Sequence, residues 1–384
     1  MSTSQINSEL DLANQPLING MVAEASAGTG KTYSVAALLV RELATDENLR
    51  ISEVLVTTFT RTAAAELRDR IRGAAISVRD QLRQNKANDD DVVAKHLIDN
   101  YQQDIAAMIQ RLDRALVEFD SATIATIHSV CTKVLHLAGV TLRSVGEDDI
   151  TSQLVTEAVN DAIISRSVVG FNISRIDPNG MAEVVGKLLA DPFTEPWLDP
   201  MQNPFDDGQP ISVEDQKFLD EYLVMIQDCK ARVQDATINR PSFNDLLKRA
   251  HDVVADQSRA ALIDEIRMRF KLAIVDEAQD TDKLQWSFFD ALFPPDQTQR
   301  ALIAVGDPKQ AIYGFRGADV RAFVVRADPA KKRTLTTNHR SDKPVLSALN
   351  AALDDALFGD GIPYVAVNAS AKNSSARFSP GKSV

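Results

Sequence analysis

Residues 21–32 read MVAEASAGTGKT: a short apolar run, a series of small residues, then Lys and Thr, with VAALLVREL following at 35–43. That order gives strand, tight loop and helix. In the loop Ala25-Ser26-Ala27-Gly28-Thr29-Gly30-Lys31-Thr32, small residues let backbone N–H groups converge on phosphate oxygens. The helix that follows adds the positive end of its dipole. Lys31 has the reach to meet those oxygens as a point charge, and the Thr32 hydroxyl suits a magnesium ion. The first position of the strict pattern is glycine, and here it is Ala25. The competing reading is a glycine turn that happens to precede a helix.

Four further apolar runs end at polar residues of the same kind. They are ISEVLVTTF before TRTAAAELR, ATIATI before HS, KLAIV before DEAQD and ALIAV before GDPKQ. Short strands alternating with helical stretches predict an α/β fold with a parallel sheet flanked by helices. Ligands of such sheets gather beyond the carboxyl ends of the strands. One site assembled from five loops is the economical reading.

The 384 residues are enough for two or three domains, and 44% hydrophobic with 25% charged residues is ordinary for a globular protein. No run approaches a membrane span, so no membrane role is expected. Two cysteines without a CxxC pair and no basic leader before Lys31 predict reduced thiols in a cytoplasmic protein. Five histidines without an HExxH pattern give no zinc signature. A net charge of −12 argues against nucleic acid as a partner. Against that, Arg61, Arg68, Arg70, Arg72, Arg79 and Arg83 crowd one stretch. They form either a solvated helix face or a local stripe for a polyanion.

Between HSVC and KLAIV the chain changes character. DDITSQLVTEAVNDAIISRSV and EDQKFLDEYLVMIQDCKARV have helical patterns and flank DPFTEPWLDPMQNPFDDGQP. The prolines of that stretch forbid regular helix and predict exposed loop. The region is expected to be a mostly helical insertion, with PSFNDLLKRAHDVV leading back to the sheet. The final stretch, VNASAKNSSARFSPGKSV, is rich in Ser and small residues and is expected to be frayed.

Asp276 and Glu277, just past KLAIV, complete the phosphate loop chemically. One carboxylate can hold magnesium, for which Asp276 is the choice, and Glu277 can orient or deprotonate an attacking water. Together with the loop they predict hydrolysis of a nucleoside triphosphate. What that hydrolysis drives depends on residues 305–319, VGDPKQAIYGFRGAD. A metabolic kinase would leave this stretch without a purpose.

EASAGTGKT, TTFTRTAAAELRDRIR, TIHSVC, VDEAQDTD, VGDPKQAIYGFRGAD and TTNHRS occur in this order. They resemble the motifs of UvrD/Rep-type superfamily 1 DNA helicases, most of all the RecB branch, the beta subunits of exodeoxyribonuclease V. The resemblance implies a P-loop NTPase fold of the RecA-like type, with ATP and Mg²⁺ as cofactors. It further implies 3′-to-5′ translocation on single-stranded DNA, action at duplex ends in double-strand break repair and recombination, and RecC-like and RecD-like partner subunits. Gln310 matches the glutamine that senses the γ-phosphate, and Arg340 an arginine that stabilises its charge. His339 stands where the family often stacks Tyr or Trp on adenine, and Tyr33 would help to sandwich the base. Tyr313 and Phe315 fall where rings lie under single-stranded bases; without the resemblance, both read equally as core. Thr58, Phe59, Thr60 and Arg61 match one DNA-contacting loop, and Thr126 and His128 another, although a lone His at a strand end is also commonly structural.

The chain departs from the family in three ways. His339 offers a smaller stacking face. No glutamine sits clearly where the family reads adenine, and Gln15 is the nearest candidate. The sequence runs only a short way past TTNHRS, whereas the resemblance implies a second motor domain and a C-terminal nuclease domain. The expected division is therefore a first RecA-like domain over 1–138 and 241–330, a helical insertion over 139–240, and the opening of a second RecA-like domain over 331–384. Two functions remain open: the N-terminal portion of an ATP-dependent DNA helicase motor, or a truncated remnant that binds nucleotide or DNA without unwinding.

Overall fold

The five apolar runs form five neighbouring strands of one sheet. The structure is a computed structural model that describes residues 8–140, 148–190, 211–236, 243–295, 299–314, 318–326, 328–359 and 362–376. The strands are β1 (Ser8–Glu9), β2 (Met21–Ala25), β3 (Val54–Thr58), β4 (Thr123–Thr126), β5 (Leu272–Asp276), β6 (Ala301–Gly306) and β7 (Lys332–Leu335). Their spatial order is β1-β7-β2-β6-β5-β3-β4, and every pairing is parallel. An all-parallel sheet is covered on both faces, and β2, β3, β5 and β6 are buried along their whole length.

The chain divides into two compact units, one of Met1–Val130 with Val254–Val384, the other of Cys131–Val253. In the first, α1 (Lys31–Thr45), α2 (Arg61–Gln84), α3 (Val92–Asn100) and α4 (Ile105–Val117) contribute to one core with the sheet. Val35, Leu38 and Leu39 of α1, Leu67 and Ile71 of α2, Val56 of β3, and Ile274 and Ile303 are buried there. On α2 the buried residues Ala64, Leu67, Ile71, Ala75, Val78 and Leu82 recur at intervals of three and four, which is the helical stripe. The chain leaves this unit in α5 (Ile127–Leu137) and returns in α9 (Phe243–Ala255), followed by α10 (Ala260–Met268), α11 (Lys283–Leu292), α12 (Val320–Arg326) and α13 (Lys343–Ala352).

The second unit is built on α6 (Asp148–Val168), α7 (Pro178–Ala190) and α8 (Val213–Ala236). Val159, Met181, Val185, Met225, Ile226 and Cys229 form its core. The proline-rich stretch 191–210 lies outside the described residues. The units part at 130/131 and 253/254, inside α5 and α9, rather than at the expected 138/139 and 240/241.

Two expectations need correction. The chain after 331 does not open as a separate body, because β7 pairs with β1 and β2 in the same sheet. Nor is all of 367–384 frayed. Asn368–Ala369 pairs in parallel with Thr337–Asn338, Val367 is buried, and the Asn373 side chain donates to the His339 carbonyl at 2.9 Å. Backbone pairing and one buried Val outweigh a composition of small residues. Residues 377–384 lie outside the described residues.

The arginine run of α2 is mostly structural. Arg79 and Arg83 pair with Asp113 of α4 at 3.4 and 2.7 Å. Arg72 lies over the Phe119 ring, and Arg68 donates to the Ile124 carbonyl at 3.3 Å. Replacing Asp113 by Ala removes the inter-helix partner of two guanidiniums. Urea denaturation is expected to register a loss of about 1 kcal/mol, while an unchanged midpoint would return these arginines to the role of solvated charges.

Candidate functional site

Gly30, at φ 86°, caps α1 without a side-chain hydrogen bond, and the first turn carries no acid. The helix therefore presents a positive end with nothing built in to neutralise it. The preceding loop is tight: the Thr29 amide and hydroxyl both donate to the Ser26 carbonyl, at 3.2 and 2.7 Å. Gly28 is also left-handed, at φ +80°, and a Cβ there would stand 2.8 Å from Asn338 Nδ2 and 2.9 Å from Arg340 Cβ. Only glycine fits that position.

The closeness comes from TTNHRS. Asn338 Nδ2 donates to the Ala27 carbonyl at 2.8 Å, and the His339 amide donates to the Gly28 carbonyl at 2.8 Å. Asn338 Oδ1 accepts from the Arg340 and Ser341 amides at 2.9 and 2.8 Å. Asn338, buried, thus fastens one loop to the other. It was not singled out in the sequence, although it lies inside a recognised motif.

The catalytic candidates meet around Lys31. Its Nζ lies 2.7 Å from Glu277 Oε2 and donates to Gln310 Oε1 at 3.4 Å. Gln310 Nε2 donates to Asp307 Oδ2 at 2.7 Å. The Asp307 amide donates to Gln279 Oε1 at 3.0 Å, and Gln279 Nε2 donates to Glu277 Oε2 at 2.9 Å. Lys31, Gln310, Asp307, Gln279 and Glu277 therefore close a hydrogen-bonded ring. Gly306 permits it, since a Cβ there would sit 2.5 Å from Gln279 Oε1. Glu277 itself is left-handed at φ 51°, a conformation that costs a side chain about 1–3 kcal/mol. Its own amide donates to Asp276 Oδ1 at 3.0 Å.

Asp276 is buried at the end of β5. Burial first, and then the neighbouring Glu277 carboxylate, push its pKa up to about 6. Asp280, also buried, is pushed up chiefly by burial. Its Oδ1 accepts from the Ile312 amide at 3.4 Å, tying the acidic turn to the loop that carries Tyr313.

Beside the phosphate loop, a cavity of about 530 Å³ is lined by Tyr33, His339, Thr29, Leu10, Leu335 and Asp90, among others. It has the aromatic and apolar walls that a flat ring requires. Gln15 does not line it: its Oε1 accepts from Arg333 at 2.7 Å and its Nε2 donates to the Pro16 carbonyl at 3.3 Å. Gln15, the nearest candidate for reading adenine, is engaged elsewhere.

The residues expected at DNA separate into two groups. The Phe59 and Tyr313 rings stack with centroids 4.3 Å apart and planes at 22°, and Phe59 and Arg61 are exposed. Thr60 accepts from the Ala63 amide as the N-cap of α2. Thr58, by contrast, is buried with its hydroxyl unpartnered, and Thr126 is buried with its hydroxyl 3.1 Å from Ser129 Oγ. Both close buried strands, and Thr58 lines a small pocket with Phe59, Asp276 and Glu277. His128 is half-buried. Phe315 lies outside the described residues. Among the described residues no cluster of three His, Cys, Asp or Glu side chains could hold a metal by itself, and no helix is long and apolar enough to cross a membrane.

The sheet, the phosphate loop and the acidic turn define a P-loop α/β protein. The family model of the UvrD/REP helicase N-terminal domain matches residues 6–330, and the chain belongs to this family. It is similar to the RecBCD enzyme subunit RecB of Mycobacterium tuberculosis, at 36% identity over 88% of this chain and 30% of that protein. It is also similar to the RecB subunits of Mycolicibacterium smegmatis, at 33% over 88% and 30%, and Escherichia coli, at 27% over 98% and 41%. The chain thus spans about a third of the length of these relatives.

The raised pKa of Asp276 has a sign. A carboxyl that holds its proton more tightly folded than unfolded loses stability as pH rises from about 4 to about 6. Above that range the ionised group is a constant penalty. Asp276→Asn, which keeps the acceptor for the Glu277 amide, is expected to raise the melting temperature of the nucleotide-free protein by roughly 2–6 °C at pH 7.5 and to leave it nearly unchanged at pH 4. A variant no more stable at pH 7.5 would show that the carboxylate is already compensated.

Proposed function

We propose that this chain is the nucleotide-hydrolysing part of a RecB-type motor that binds Mg·ATP and grips single-stranded DNA, translocating 3′ to 5′. The observation that carries this reading is the convergence of Lys31, Glu277 and Gln310 on one point beside the phosphate loop. Lys31, Gly28, Thr29, Gly30 and the α1 amides would hold the triphosphate, with Ala25, Ser26 and Ala27 forming the remainder of the loop. Tyr33 and His339 would hold the base. The residues also fit magnesium. Asp276 is a desolvated carboxylate that accepts the Glu277 amide, and Thr32 offers its hydroxyl from the first turn of α1. Bound with the nucleotide, the metal would supply charge neutralisation at the β- and γ-phosphates.

Without nucleotide, the ammonium of Lys31 is neutralised by Glu277. A triphosphate would compete for that ammonium, and Glu277 would then be free to accept a proton from an attacking water. Gln310 Oε1, oriented by Asp307, faces the same point and would align that water. Arg340, whose Cβ lies against Gly28, would place a guanidinium near the γ-phosphate.

Only Ala311 and Ile312 separate Gln310 from Tyr313, so a change at the phosphate would reach the rings directly. A base stacked on Phe59 or Tyr313 would gain about 1–3 kcal/mol whatever its identity, as a motor that ignores sequence requires. By this reading Thr58, Thr60 and Arg61 meet the strand in one loop, Thr126 and His128 in another, and Phe315 adds a further ring. Action at duplex ends in break repair, and assembly with RecC-like and RecD-like chains, follow from the likeness to RecB subunits.

Lys31→Ala is expected to abolish Mg·ATP binding measured with a fluorescent analogue, and retained affinity would refute the phosphate assignment. Phe59→Ala is expected to weaken oligonucleotide binding about tenfold, equally for all base compositions. Because a metal must displace the proton of Asp276, the Mg-dependent share of ATP affinity is expected to fall as pH drops below about 6. Metal-free binding should follow no such curve.

A further inference from the structure

β2 reads MVAEA and is buried along its whole length, yet it contains a glutamate. Glu24 is 4% exposed and sits one residue before the phosphate loop. Its Oε1 lies 3.3 Å from Lys309 Nζ and its Oε2 lies 2.7 Å from Lys332 Nζ. Lys309 Nζ is in turn 2.9 Å from Asp307 Oδ1. Two carboxylates and two ammoniums thus alternate in a line, and the side chains of Glu24, Lys309 and Asp307 are 5%, 9% and 2% exposed. Buried charges of this kind persist only when each is paired.

We propose that Glu24 and Lys309 are positioning residues that fix the side-chain amide of Gln310, acting through Asp307. The amide of a glutamine has a donor end and an acceptor end that differ little in shape, so a partner must decide which end faces the phosphate site. Asp307 decides it here: Oδ2 accepts from Gln310 Nε2 at 2.7 Å, which turns Oε1 toward Lys31. Asp307 can do so only as a carboxylate held in place. Lys309 supplies that hold twice, through its Nζ and through its amide, which donates to Oδ1 at 3.1 Å. Glu24 fixes the Lys309 ammonium from the other side. Register makes the clamp possible, because Glu24 stands opposite Gly306 on the adjacent strand β6. Lys332 completes the neutral cluster from β7 on the other flank of β2.

Remove the Lys309 ammonium and two buried carboxylates are left with Lys332 alone. One of them then moves toward another partner, and an Asp307 no longer held in place leaves the amide free to turn either end to the site. The catalytic consequence rests on the reading that Gln310 faces the γ-phosphate. The orientation of the amide does not.

Two readouts keep these apart. In the full chain, the side-chain NH₂ signals of Gln310, assigned by their disappearance in Gln310→Glu, report the hydrogen bond to Asp307 without any turnover. Lys309→Met is expected to broaden or shift them toward free-amide positions, and Lys309→Arg, which keeps the charge, to preserve them. Glu24→Gln is expected to lie between. In DNA-stimulated hydrolysis, Lys309→Met is expected to lower kcat about tenfold or more while KM for ATP stays within about threefold, with Lys309→Arg recovering most of the loss. Gln310 signals identical in Lys309→Met and the parent would overturn the proposal. So would a loss of ATP affinity and thermal stability in step with kcat that Lys309→Arg does not rescue, since that marks a merely structural cluster. Should Lys31→Ala still bind ATP while the Gln310 signals respond as stated, the nucleotide reading fails and the positioning pair stands.

Discussion

The ammonium of Lys31, shared between Glu277 at 2.7 Å and Gln310 at 3.4 Å, is the contact on which the site depends. It joins the ends of three parallel strands, β2, β5 and β6, that lie side by side in the sheet. A single cation at their meeting point compensates the acidic turn after β5 and gives the glutamine after β6 a fixed neighbour. It is also the group a triphosphate would most directly contest, so the resting contact and the loaded site draw on the same charge. Glu277 meets it only by adopting a left-handed backbone, and the ring through Gln279 and Asp307 holds that conformation in place.

Beneath this ring the protein keeps a second, buried layer of charge. Glu24, Lys309, Asp307 and Lys332 lie where β2 is flanked by β6 on one side and β7 on the other. Apolar residues would fill that space at lower desolvation cost. Charged ones specify direction, since a carboxylate accepts and an ammonium donates, and direction is what an amide above them requires. Asn338 plays a related part at the outer side of the loop. By accepting two amides and donating to Ala27 it brings His339 and Arg340 against Gly28, where nothing larger fits.

Much of the fold was legible because apolar runs of strand length, each ending in small, acidic or hydroxyl residues, have few other solutions in an α/β chain. All five became adjacent strands. β1, of only two residues, and β7, KRTL with two of its four residues half-buried, carry no such signal and went unread. Helices α6 and α8 were readable from periodicity. The parting points of the two units were not, because they fall inside continuous helices where local sequence does not change. Among the candidate site residues, Lys31, Asp276 and Glu277 were read from chemistry and spacing, and Gln310 from the resemblance of its motif. The burial of Thr58 and Thr126 was not legible, since a hydroxyl at a strand end looks the same in sequence whether it faces outward or into the core. The pairing of Arg79 and Arg83 was not legible either, because their partner Asp113 lies on a different helix.

By itself the sequence determined the order of strand, loop and helix and the identity of the groups gathered at the strand ends, because those are set by local pattern and by what each side chain can ionise, donate or accept. Tertiary structure alone decided which of these groups meet. Glu24 and Lys309 are separated by most of the chain and come within 3.3 Å only because β2 and β6 are neighbours in the sheet. Pairing between distant strands is a property of the whole packed core, and no window of sequence carries it.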